Sequence, residues 1–144
     1  MRLYKQFSTL SLMKQYGGEY RELRPMLWTV DVPASIEFYR EILGFELDEY
    51  NEEWNWASLS KDAVSLMLAK PAAQEKFQKI GFTGSFYFNI DDVDALWEEL
   101  QGKVEVCYEP ENFPWEMREF AIYDNNGYLL QFGQNLEHNK EILS

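Results

Sequence analysis

PWEMREFAIYDNNGYLLQFGQ, residues 114–134, decides how this chain folds. From Met117 to Tyr123 apolar and polar residues alternate with a period of two, the spacing of a half-buried strand. Asp124-Asn125-Asn126-Gly127 then supplies residues that tolerate positive φ, and Tyr128-Leu129-Leu130-Gln131-Phe132 runs back. The stretch is predicted to be a β-hairpin. A register slip of one residue swaps the faces that carry Arg118 and Gln131, so local sequence leaves their sides open.

Upstream, Ser85 to Ile90 reads as a strand and Asp91 or Asp92 as a helix cap. Val93, Leu96, Trp97 and Leu100 form the helix's buried face, Gly102 ends it, and Lys103 to Tyr108 is a strand. The same order occurs earlier. Pro25 to Val30 is a strand, and Asp31 stands at an N-cap with Pro33 in the first turn and Glu37 following. Val32, Ile36, Tyr39 and Leu43 make a helical stripe closed by Gly44. Strands follow at Phe45 to Tyr50, Trp54 to Ser60 and Ala63 to Ala69, with turns at Asn51–Glu53 and Lys61-Asp62.

Setting Asp31 on Asp92 aligns Ala34 with Ala95 and Glu37 with Glu98. Setting Ala57 on Ala121 aligns Trp56 with Phe120, Leu66 with Leu130 and Leu68 with Phe132. This is a weak internal duplication of a strand-helix-three-strand unit. Two such sheets, neither able to bury both faces alone, are expected to pair around a shared cleft. The predicted division is an N-terminal extension (1–23), a first βαβββ module (24–70), a connector (71–82), a second module (83–134) and a tail (135–144). Leu3, Phe7 and Leu10 suit either a short amphipathic helix or an added leader, and Ala72 to Gln78 suits a helix in the connector.

Of the 144 residues, 46% are hydrophobic and 17% aromatic, enough for a core and against disorder. No apolar run approaches the roughly 18 residues that span a bilayer. The single cysteine, Cys107, cannot form an internal disulfide and fits a cytoplasmic location. A formal net charge of -12 repels phosphate backbones, which excludes nucleic acid as a partner, and attracts cationic ligands.

The pattern PWxxREFAxxDxxGxxLxFGQ resembles the C-terminal end of bleomycin-resistance proteins, within the vicinal-oxygen-chelate (glyoxalase/dioxygenase) superfamily. VDVPASIEFYREILGFEL, from Val30 to Leu47, resembles the first strand-helix-strand of the same superfamily. Together the two stretches carry the resemblance over roughly residues 24 to 134. The family turn usually has a proline and a final asparagine where this chain has Asn125 and Tyr128. The resemblance implies an α+β fold of two βαβββ modules with mixed sheets around a cleft.

Metal-dependent members place ligands at four corners, usually histidines or a His/Gln pair with glutamates. Carried over, these fall near Arg24, Met67, Ser85 and Gln131, of which only Gln131 could coordinate. The one histidine, His138, lies in the tail, so a two-histidine facial triad is impossible within one chain. No metal, cofactor or catalytic residue is therefore expected.

Trp28, Trp54, Trp56, Tyr87, Trp115 and Tyr123 lie near the implied cleft. Flat rings beside carboxylates suit a cationic or aromatic ligand, although Trp56 and Tyr87, in mid-strand, also suit side-chain packing. Trp115 matches the tryptophan of the resistance motif, whose residues border the drug groove. Arg118 reads as an ion pair with Glu119 or as an anchor for a ligand's polar group. The expected ligand-binding set is Trp115, Trp54, Trp56, Tyr87, Trp28, Arg118 and Gln131. The resemblance implies a homodimer that sequesters a small molecule without turnover. The alternative is a lyase, isomerase or dioxygenase, metal-free or with an unusual metal site, in which Glu46, Asp48 or Glu119 could act as a base.

Overall fold

Each half of the sequence forms its own four-stranded sheet in the computed structural model, which describes residues 18, 21–73, 77, 80–81 and 84–137. The N-terminal amphipathic stretch, most of the helix expected through Ala72 to Gln78, and His138 lie outside those residues. β1 (Met26–Trp28) leads into α1 (Val32–Glu37), which continues as a π-helical segment, Phe38–Ile42. Then come β2 (Glu46–Asn51), β3 (Trp56–Lys61) and β4 (Val64–Ala69). The second half repeats the order as β5 (Phe86–Asn89), α2 (Val93–Leu100), β6 (Glu105–Phe113), β7 (Met117–Tyr123) and β8 (Leu129–Asn135). The sheets run β1-β4-β3-β2 and β5-β8-β7-β6, and in each the first and last strands pair in parallel. The fold is two βαβββ modules.

The aspartates that open both helices do the same work. Asp31 Oδ1 accepts from the Ala34 amide at 2.9 Å and Asp92 Oδ1 from the Ala95 amide at 3.0 Å, each satisfying an amide that has no partner within its helix. In the hairpin, Asp124 Oδ1 accepts from the amides of Asn126 and Tyr128, and Gly127 takes a φ of 94° that few other residues adopt.

One face of each sheet is covered. Leu27, Ala57, Leu59, Leu66 and Leu68 from the first, and Phe120, Ile122, Leu130 and Phe132 from the second, join Val32, Tyr39, Val93 and Leu100 of the helical layer in one core. Polar bonds tie the modules together. Tyr39 Oη donates to Asp124 Oδ2 at 2.7 Å in the interior, and burial pushes the Asp124 carboxyl above its ordinary range. Tyr128 Oη bridges the Trp28 amide and carbonyl at 2.9 and 3.0 Å, and the side-chain amides of Asn125 and Asn126 donate to Ser35 Oγ.

Three expectations need correction. Phe120 faces the core opposite Phe132, as Ala57 does opposite Leu68, so setting Ala57 on Ala121 is one residue out of step. The β7–β8 hairpin is one residue longer than the β3–β4 hairpin between equivalent positions, which no ungapped alignment accommodates. In structural register the counterpart of Trp56 is Glu119. The strand predicted from Trp54 begins at Trp56; Trp54 sits in the preceding turn, its amide bonded to Asn51 Oδ1. Finally, β6 runs past Tyr108 to Phe113. Its register shifts twice on the way, and Pro110, which has no amide hydrogen to donate, falls within the second shift, between Tyr108 and Glu111 of this edge strand. Among the described residues no helix is long and apolar enough to cross a membrane.

Candidate functional site

Strand alternation places Glu119 of β7, Gln131 and Gly133 of β8 and Tyr87 of β5 on the uncovered face of the second sheet. Glu119 is nonetheless only 3% exposed. Its Oε2 accepts from Tyr87 Oη at 2.5 Å and from Trp115 Nε1 at 3.0 Å; its Oε1 has a long contact with Tyr108 Oη, 3.5 Å. Behind Tyr108, Gln131 Nε2 donates to the phenol oxygen at 2.9 Å, and Ser85 Oγ donates to Gln131 Oε1. A chain of donors thus runs from Ser85 through Gln131 and Tyr108 toward one carboxylate. None of these donors is cationic, so charge-assisted hydrogen bonds alone replace the carboxylate's lost hydration.

The phenols register that environment. Desolvation, then the bond to Glu119 and its charge, push the Tyr87 hydroxyl well above the usual tyrosine value. Desolvation also raises Tyr108, with Gln131's donated bond opposing it. Tyr87 reaches Glu119 by lying across Gly133, where a Cβ would stand 1.8 Å from Tyr87 Oη and 2.5 Å from Cζ. Around the carboxylate, Tyr87 is 40% and Trp115 60% exposed, and Phe113 stacks on Trp115 with ring centres 4.6 Å apart.

The first module has a different lining at the equivalent positions. Met26, Met67 and Trp56 stand where the second module has Tyr87, Gln131 and Glu119. Trp54 joins them from its turn, and with Met26, Trp56 and Ala69 it borders a shallow cavity of about 370 Å³. Trp28 lies on the same face, edge-on to Phe77. Between the modules a crevice of about 460 Å³ is lined by residues that include Leu27, Tyr39, Ser65, Ser85 and Tyr87.

The residues singled out from sequence therefore separate. Tyr87, Trp115 and Gln131 gather at Glu119, whereas Trp28, Trp54 and Trp56 gather on the first sheet. Arg118 joins neither group. It lies on the opposite face of β7 from Glu119 and forms an ion pair with Asp94 of α2 at 2.7 Å, holding that carboxyl below its ordinary value. Glu46 and Asp48 are exposed, so only Glu119 of the three candidate bases is desolvated. Tyr108 and Phe113 had no signal in the sequence, because the bulges of β6 erase its alternation.

The four corner positions do not fit a divalent ion. Arg24 is a cation paired with Glu22 at 3.0 Å and bonded to Ser58, Met67 offers only a thioether, and Ser85 and Gln131 satisfy one another. Among the described residues no group of three His, Cys, Asp or Glu side chains could hold a metal.

Residues 23–132 match the family model described as the Glyoxalase/Bleomycin resistance protein/Dioxygenase superfamily. A comparison with curated proteins found no match. Among solved structures, a protein of unknown function from Agrobacterium tumefaciens is similar at 22% identity and a TM-score of 0.69, over 85% of this chain and 99% of that one. The bleomycin-binding protein from bleomycin-producing Streptomyces verticillus, complexed with copper(II)-bleomycin, is similar at 26% identity and a TM-score of 0.60, over 79% of this chain and 95% of that one. Lactoylglutathione lyase from Agrobacterium tumefaciens is similar at 19% identity and a TM-score of 0.63, over 83% and 96%.

Proposed function

Because the chain belongs to the Glyoxalase/Bleomycin resistance protein/Dioxygenase superfamily, we propose that it binds and sequesters a small cationic or aromatic molecule without turning it over. The observation that carries this reading is Glu119, a buried carboxylate with no cationic partner among the described residues, set beside the exposed rings of Tyr87 and Trp115. Such a site offers charge and a flat apolar wall together, and the net charge of -12 draws cations toward it. The likeness to a bleomycin-binding protein supports the same reading. Trp28, Trp54 and Trp56 supply a second aromatic surface, and Arg118 is left out of the site. In this reading the protein acts in the cytoplasm as a homodimer, whose contact would cover part of the two uncovered sheet faces.

One observation favours a second reading. Glu119, alone of the three candidate bases, is withdrawn from solvent at 3% exposure, as the general base of a metal-free lyase or isomerase would be. Equilibrium dialysis against a bleomycin-type glycopeptide and a panel of aromatic amines, followed by mass spectrometry, separates the two. Sequestration predicts ligand retained inside the dialysis cell and recovered unchanged after the protein is denatured. A ligand returned with an altered mass would establish turnover, and no retention would remove the binding reading.

A further inference from the structure

The two oxygens of Glu119 are not equivalent, and the difference defines a ligand. Oε2 accepts two hydrogen bonds, from Tyr87 at 2.5 Å and from Trp115 at 3.0 Å, which fill its lone pairs. Oε1 has only the 3.5 Å contact with Tyr108, well beyond the usual length for an O–H···O bond. A carboxylate fixed on one side and loosely held on the other keeps a single acceptor, which at 3% exposure is reached by displacing the Tyr108 contact. Among the described residues its charge has no local counter-ion: Arg118, the preceding residue on the strand, is turned away to Asp94, and the donors present are phenol, indole and amide.

We infer that the group recognised here is a nitrogen cation that still carries hydrogen, namely a primary or secondary ammonium or a guanidinium, donating to Glu119 Oε1. The inference rests on the binding reading above and narrows it. The ligand nitrogen displaces the loose Tyr108 contact, while Gln131 keeps the Tyr108 phenol in place by donating to its oxygen. Tyr87 and Trp115, which turn Oη and Nε1 to the neighbouring Oε2, border the site with exposed aromatic surface. Ring faces attract quaternary and protic cations alike, whereas only the protic ones can donate to Oε1. The carboxylate thus sets the selectivity and the rings add affinity. In the first module Trp56 replaces Glu119 at the equivalent position, so that module does not repeat the group.

The test follows the indole N–H of Trp115, which touches Oε2 and reports on the site directly. The chain has five tryptophans, and the Trp115 signal in a proton–nitrogen correlation spectrum is assigned with Trp115→Phe. The protein is titrated with phenethylammonium, phenethyltrimethylammonium and phenethyl alcohol. Phenethylammonium is expected to bind at least about tenfold more tightly than the other two, the effect of one hydrogen bond to a charged group. In Glu119→Gln, which keeps the side chain's size but turns a donor toward the ligand, that preference is expected to vanish. If the trimethylammonium or the alcohol binds as well as the ammonium and moves the same signal, the hydrogen-bond inference fails while the binding reading stands. If none of the three moves any indole signal at millimolar concentration, both fail.

Discussion

Gly133→Ala puts the geometry of the Glu119 cluster under direct strain. An added Cβ would stand 1.8 Å from Tyr87 Oη, 2.5 Å from Cζ and 2.9 Å from Cε1. The phenol cannot stay where it is. Tyr87 is 40% exposed, so its ring can swing outward, and the cost is mainly the 2.5 Å bond to Glu119. A hydrogen bond to a charged group contributes about 1.5–3 kcal/mol. Replacing glycine by alanine returns about 0.4–1 kcal/mol by narrowing the unfolded ensemble. The expected net loss is about 1–2 kcal/mol, read as a lower urea midpoint at unchanged m-value. In a Tyr87→Ala background no ring lies over Gly133, and the same substitution should be neutral or slightly stabilising. The coupling between the two positions, measured as a double-mutant cycle, is expected to be about 1.5–3 kcal/mol. Equal effects of Gly133→Ala in both backgrounds would show that Tyr87 does not lie across Gly133 and that the cluster is wrongly drawn.

Two further perturbations address the module junction and the outlying arginine. Tyr39→Phe removes the buried bond to Asp124 and is expected to cost about 1.5–3 kcal/mol at pH 7. The folded value of Asp124 lies above the unfolded one, so its contribution to stability is full below the ordinary carboxylate range and is lost as pH rises through the folded value. The Tyr39 bond favours the ionised form, so the deficit of Tyr39→Phe should shrink on acidification; an equal deficit at pH 4 and pH 7 in urea unfolding would contradict this. Arg118→Ala breaks a largely exposed ion pair and should cost at most about 1 kcal/mol, with no change in ligand affinity. Because Arg118 depresses Asp94, that small contribution is present above the unfolded carboxylate range and fades as pH falls. A large loss of binding in Arg118→Ala would place Arg118 in the site after all.

The elements were legible wherever local physics sets them. Asp31 and Asp92 cap their helices because a short carboxylate before an apolar stripe has few other uses, and the alternation from Met117 to Tyr123 could only be a strand. The hairpin's register was not legible, since it depends on pairing with distant residues, and that register places Arg118 and Glu119 on opposite faces. Tyr108 was hidden by the bulges of β6, and the burial of Glu119 by three donors scattered from residue 87 to residue 115. The two departures from the family turn, Asn125 and Tyr128, prove to be structural. One bonds Ser35 and the other bridges the backbone of Trp28, so both fasten the second module to the first.

Calorimetric titration of the metal-stripped protein with a bleomycin-type glycopeptide, repeated on Trp115→Ala and Glu119→Gln, decides whether a ligand is held at Glu119. Saturable binding near one ligand per chain is expected, weakening sharply in both variants, with the urea midpoints showing both still folded. No heat up to roughly 100 micromolar ligand, a binding free energy weaker than about 5.5 kcal/mol, would contradict sequestration of this ligand class. Undiminished binding in both variants would contradict the site.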